Sequence, residues 1–140
     1  MHHLIRAPQR GRILRQGSDL LVDGCAGLVN ELIQAQEQNR LQKFLNTALK
    51  QQLIVLDELG FIPFSTLGAQ LMFQFCATLH ERVALIVTTN LSFADWPQVF
   101  GSEQLTGALL DRLTYKAHIL EFIGESYRFR QRLQQETQSR

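Results

Sequence analysis

The stretch Leu53-Ile54-Val55-Leu56-Asp57-Glu58 decides how the rest of the chain is read. Four aliphatic residues ended by two adjacent carboxylates have the pattern of a buried parallel strand. Helices cover both faces of such a strand, so its sequence is an unbroken apolar run and not an alternation. Its C-terminal end opens into the crevice where open α/β sheets bind ligands. An Asp at that point can hold Mg²⁺ through water, and a Glu after it can polarise an attacking water.

Around this strand the hydrophobic pattern alternates between two periods. Leu20-Leu21-Val22 is a short strand candidate, with a turn at Asp23-Gly24. From Ala26 the apolar residues Leu28, Val29, Leu32 and Ile33 recur at helical spacing. A second helix carries Leu41, Phe44, Leu45, Ala48 and Leu49 on one face. Gly60 and Pro63 break the chain after Leu53–Glu58. A helix is expected over about 66–82, and Val83 to Thr88 is a second apolar strand. A short helix over 93–99 ends at Gly101, with Asp95-Trp96 facing back onto the domain. A further helix spans about 103–113, Ala117 to Ile123 is the last strand, and 128–140 is a polar helix or tail. There is no internal repeat. Strands alternating with helices imply a three-layer α/β domain built on a parallel sheet.

Bulk properties narrow the function classes. The chain has 140 residues, 45% of them hydrophobic, and a net charge of +1. One domain of this length buries roughly 68–70% of its unfolded surface, and the composition excludes disorder for most of it. The near-zero charge supplies no general attraction to DNA or a membrane, so any nucleic-acid contact needs a local patch. Cys25 and Cys76 form no disulfide framework, and Cys76 falls in an apolar helical stretch as a core thiol. His2, His3, His80 and His118 have no metal-ligand spacing. No apolar run reaches the roughly 18 residues of a membrane span, and no signal-peptide core is present, so a soluble cytoplasmic protein is expected.

Four polar clusters then stand in order: Asp57-Glu58 at a strand end, Thr88-Thr89-Asn90 at the next, Asp111-Arg112 at the end of the helix before the last strand, and Ser126-Tyr127-Arg128 after it. In a parallel sheet the strand ends share one edge, which brings Asn90 within reach of a water or phosphate near Glu58. Arg112 at a helix end can project from the protomer and complete a neighbour's site, since a guanidinium is always charged and forks onto phosphate oxygens. Each cluster has a plainer reading. Asp-Glu can serve a turn or a helix N-terminus, Thr-Thr-Asn can be turn chemistry, Arg112 can lie on a solvated face, and Arg128, Arg130 and Arg132 can be a wet tail. Trp96 is a packing anchor before it is a base-stacking platform.

The ordered set resembles a known family. Leu53 to Phe64, Gly68 to Gln74, Thr88 to Phe93, Trp96, Phe100-Gly101, Ala108 to Leu113, Ala117-His118 and Gly124 to Arg128 are together similar to the IstB-like ATP-binding proteins. Arg15-Gln16-Gly17 and Leu28 to Leu32 extend the likeness upstream. These are transposition helper ATPases of bacterial insertion sequences, related to DnaC-type helicase loaders in the AAA+ class. The resemblance implies a P-loop NTPase core that binds ATP with Mg²⁺, self-assembles as a homo-oligomer on DNA and delivers a target to the transposase. It implies that Asp57 is the Walker B acid associated with Mg²⁺ through water, and Glu58 the catalytic base. It further implies that Asn90 is sensor 1, Arg112 the arginine finger and Arg128 a nucleotide-binding sensor 2 residue.

One part of the family pattern is missing. None of the nine glycines is followed by Lys, so the 140 residues contain no G-x-x-x-x-G-K phosphate loop. The expected organisation is an unrelated or disordered leader over 1–14, a partial AAA+ domain over 15–130 lacking its first strand, phosphate loop and most of its first helix, and a polar tail over 131–140. Since the loop supplies most of the phosphate contacts, impaired ATP binding is expected. The AAA+ class places its first strand between the sensor 1 strand and the last strand, and losing it leaves two unpaired edges and an uncovered apolar face. Leu4-Ile5 or Ile13-Leu14 is a candidate substitute strand. Two other readings stay open: a non-catalytic interaction module or remnant, and a helicase-loader-like ATPase. DNA contact through Arg128, Arg130 and Arg132 is a further expectation.

Overall fold

A computed structural model describes residues 2–6, 20–60, 62–122 and 134–138. The elements are β1 (His2–Arg6), β2 (Leu20–Gly24), α1 (Cys25–Glu37), α2 (Leu41–Leu49), β3 (Leu53–Leu59), α3 (Thr66–Leu79), β4 (Ala84–Thr89), a 3₁₀ turn (Phe93–Asp95), α4 (Trp96–Phe100), α5 (Glu103–Thr114) and β5 (His118–Glu121). Residues 134–138 are helical and exposed. The expected helices and strands are all present, with shifted ends. Gly24 belongs to β2 and is not a turn. Helix α3 stops at Leu79 because Glu81 adopts φ +63° and the Arg82 and Val83 amides close a turn on the Leu79 carbonyl.

The five strands form one sheet in the order β2-β3-β4-β1-β5. β2 pairs parallel with β3, and β3 parallel with β4. β1 pairs antiparallel with both β4 and β5, so β5 runs in the same direction as β4. The parallel sheet expected from sequence therefore holds for four strands, and the fifth runs against them. Leu4 and Ile5 lie in β1, which fills the slot between β4 and β5 that the resemblance left open. The physical reason is satisfaction of edges: without β1, β4 and β5 would each present an unpaired row of backbone groups. Ile13-Leu14 lies outside the described residues.

Handedness puts the helices in one layer. From β2 to β3, β3 to β4 and β4 to β5 the chain always steps the same way across the sheet. Right-handed crossovers that keep one direction place all their helices on one face. Accordingly α1 packs on α2 and α3, α2 on α3, α3 on α5 and α4 on α5. Ile54, Leu56, Leu85 and Val87 point into this layer and join the core with Leu28, Leu32, Met72, Phe75, Leu79, Trp96 and Leu109. In the alternate row Val55 and Ile86 are only partly buried, Leu53 and Ala84 are buried, and none of the four belongs to that core. None of α1–α5 covers this second face, so the third layer of the expected architecture is not built by them. Among the described residues no helix is long and apolar enough to cross a membrane.

Candidate functional site

The C-terminal ends of β2, β3 and β4 make one edge of the sheet. Gly24 closes β2 there, opposite Asp57. Between β3 and β4 the ladder pairs Leu56 with Val87 and then Leu59 with Thr89, leaving Asp57 and Glu58 as a bulge. Glu58 has φ +59°, a left-handed conformation that side chains rarely adopt. Both carboxylates are exposed. The Thr88 hydroxyl accepts the Glu58 N–H at 3.0 Å and donates to Asp57 Oδ1. The Thr89 hydroxyl donates to the Leu59 carbonyl at 2.6 Å and accepts the Leu91 N–H at 3.1 Å, fixing the turn after β4. Asn90 is exposed and directly follows Thr89, the partner of Leu59, which puts it on the same edge as the acidic pair.

The loop leaving β3 needs a glycine. Gly60 has φ +96°, and a Cβ there would run into the Leu91 side chain. The Phe64 N–H then bonds the Val99 carbonyl at 2.9 Å, and Ser65 caps α3 by accepting the Gly68 N–H at 3.1 Å. Ser102 caps α5 in the same way, accepting from Leu105 at 3.2 Å. Trp96 is the packing anchor expected: it is 1% exposed, with ring centroids 5.5 Å from Phe93 and 6.1 Å from Phe100.

Arg112 does not join this edge. It sits in the last turn of α5, and six residues later the chain enters β5, so this helix end lies at the opposite edge of the sheet. The contact of Tyr115 with His80, just past the end of α3, confirms that placement, with ring centroids 5.9 Å apart. The guanidinium folds back: Arg112 Nη1 donates to the Ala108 carbonyl at 3.0 Å, and its central carbon lies 4.9 Å over the Phe73 ring. This packs Arg112 on α3, where cation–π contact and a helix carbonyl together hold the guanidinium. Arg128, Arg130 and Arg132 lie outside the described residues. The structure therefore places Asp57, Glu58 and Asn90 at one sheet edge, and separates Arg112 from them by about the length of a strand, roughly 15–20 Å.

The sequence placed Thr88 in the second polar cluster but assigned a role there only to Asn90. The signal for Thr88 was present as a hydroxyl one step before the strand's end, level with the acidic pair once β3 and β4 are aligned in parallel. Among the described residues no three His, Cys, Asp or Glu side chains gather as a metal cluster. A cation at this edge would thus be held by few protein oxygens and keep most of its water, the habit of Mg²⁺.

Comparison with known proteins agrees with the fold. The chain is 38% identical over 112 residues to the IS5376 insertion-sequence protein of Geobacillus stearothermophilus, whose name describes it as ATP-binding; the match covers 79% of this chain and 45% of the relative. It is 35% identical over 105 residues to the corresponding IS21 protein of Pseudomonas aeruginosa, covering 75% of this chain and 40% of the relative. The chain therefore spans less than half the length of these relatives. Among solved structures it is similar to a DNA replication initiation factor, with TM-score 0.60 and 14% identity over 87% of this chain and 36% of that one. It is also similar to the DnaC helicase loader, with TM-score 0.52 and 20% identity over 66% and 56%. These likenesses show the AAA+ fold. Residues 3–135 match the family described as IstB-like ATP binding protein, a span containing β2–β5, the bulged acidic pair and Asn90; with the insertion-sequence relatives, this match places the chain in the IstB-like ATP-binding family.

Proposed function

We propose that the chain is a partial transposition helper of the insertion-sequence AAA+ type, working beside a transposase and DNA in the cytoplasm, and impaired in holding ATP by itself. The observation that carries this is the asymmetry of one sheet edge. Asp57, Glu58 and Asn90 stand together at it, as acceptors for a hydrated Mg²⁺ and for a water that Glu58 would orient as base. The residues fit the cation. They do not fit a triphosphate: β1 runs antiparallel, so it begins at this edge, with His2 level with Thr89. Among the described residues the slot between β4 and β5 therefore holds no strand that ends at this edge and leads into a glycine-rich turn and a helix N-terminus, the arrangement that cradles phosphates. With no phosphate loop among the 140 residues, the two carboxylates face a polyanion without the matching donors.

Calorimetric titration of the full chain with Mg²⁺-ATP tests this. The expected result is no saturable binding at micromolar protein. Saturable binding that Asp57→Asn abolishes would overturn the impairment. The direction of β1 also favours a second reading, a non-catalytic module that keeps the surfaces of an AAA+ protomer without turnover. ATP hydrolysis by the purified chain, lost in Glu58→Gln, would rule that reading out.

A further inference from the structure

Between Leu56 and Leu59 two residues of β3 oppose the single Thr88 of β4. In an unbulged strand Asp57 and Glu58 would point to opposite faces. Glu58 would then follow the row of Ile54 and Leu56, which are 0% and 1% exposed against the helices. A carboxylate in that row would be buried among apolar side chains, and a single-residue shift is what a bulge achieves. The extra residue also forces Glu58 to φ +59°.

One side chain touches both members of the pair. The Thr88 hydroxyl takes the Glu58 N–H and gives its own proton to Asp57 Oδ1. A hydroxyl can donate and accept at once, which neither a carboxylate nor an ammonium can do. Asp57 Oδ2 makes no hydrogen bond among the described residues. We infer that Thr88 is the positioning residue of the acidic edge: it holds the bulge closed, keeps both carboxylates on the solvent side, and leaves Asp57 Oδ2 for a hydrated divalent cation. This deepens the reading of Asp57-Glu58 given above and rests on it for the cation alone; the hold on the bulge stands on the hydrogen bonds.

Thr88→Val removes the hydroxyl at constant shape, and Thr88→Ser keeps it. The main readout is amide hydrogen exchange at Glu58 in the full chain, followed by NMR beside a thermal melt. Thr88→Val is expected to speed exchange at Glu58 at least tenfold while the melt stays cooperative, and Thr88→Ser to restore slow exchange. Wild-type exchange in Thr88→Val, or equal acceleration in both variants, overturns the inference. If Thr88→Val does not fold, three-bond couplings of Thr88 in the wild-type chain decide: one fixed rotamer supports the hold, and rotamer averaging overturns it. Mn²⁺ added alone separates the two ideas. Broadening centred on Asp57 and Glu58, weakened at least tenfold in affinity by Thr88→Val and not by Thr88→Ser, supports both. Absence of broadening in the wild-type chain overturns the cation assignment while the exchange result still decides the role of Thr88.

Discussion

Glu58 sits in a backbone conformation that suits glycine, at φ +59°. A non-glycine residue there costs about 1–2 kcal/mol, and glycine returns about 0.5–1 kcal/mol of that through its unfolded-state entropy. Glu58→Gly is therefore expected to leave stability unchanged or raise it by up to about 1 kcal/mol, and Glu58→Val, β-branched, to lower it by about 1–2 kcal/mol. Urea denaturation of the two variants checks the contrast. A residue kept against its conformational preference points to use of its side chain, in keeping with the role proposed for this carboxylate. The acidic pair was legible in the sequence because its signal is local, an apolar run ending in charge. The role of Thr88 was not, because its partners Asp57 and Glu58 lie 31 and 30 residues away and the register that joins them is a property of the sheet. Cys76 was legible as a core thiol, and its surroundings add a pH dependence. Burial pushes it from 9.0 to about 12. Below pH 9 the thiol is protonated in both folded and unfolded chains and its contribution is complete. Between pH 9 and about 12 only the unfolded chain releases the proton, so stability falls by about 1.4 kcal/mol per pH unit from this group. Urea midpoints across that window should flatten in Cys76→Ala by that component.

The elements are held together by close approach as much as by hydrophobic area. A Cβ on Gly68 would stand 2.8 Å from Val29 Cγ1 and 3.1 Å from Ser65 Oγ, so this glycine lets α3 meet α1 while leaving room for the serine cap. Gly107 in α5 is also helical, but a Cβ there meets nothing within 4 Å. Gly68→Ala is thus expected to cost about 1–3 kcal/mol through overpacking. Gly107→Ala should stabilise by about 0.5–1 kcal/mol through helix propensity. Thermal or urea melts of the pair would show opposite signs, and the same sign would mean that α1 yields at Val29. The helices themselves were legible from apolar spacing, since α1, α2 and α5 repeat their buried residues every three or four positions. β1 was legible only as a candidate. Its five residues carry one apolar pair, and what makes them a strand is the pair of open edges on β4 and β5, created by residues more than seventy positions away. Its antiparallel direction has no local signature at all.

At the scale of the whole molecule the strand order makes the two sheet faces unequal. Every crossover steps the same way, so α1–α5 cover one face, and Val55 and Ile86 on the other are left partly exposed. The sequence could not announce this, because Leu53 to Leu56 is apolar on both faces and matches a strand covered twice. The apolar residues of the second row fit a layer that α1–α5 do not supply. Adjacent residues of one strand can therefore be used to weigh the faces. Leu56, 1% exposed against the helical core, should lose about 2–5 kcal/mol on substitution by Ala, the range for a buried leucine whose cavity cannot fully collapse. Val55, one residue earlier and half-buried outside that core, removes fewer methyl groups from a site that water already reaches. Val55→Ala should cost about 1 kcal/mol or less. Equilibrium urea denaturation of both variants measures the difference, and near-equal losses would mean that the second face is packed as tightly as the first.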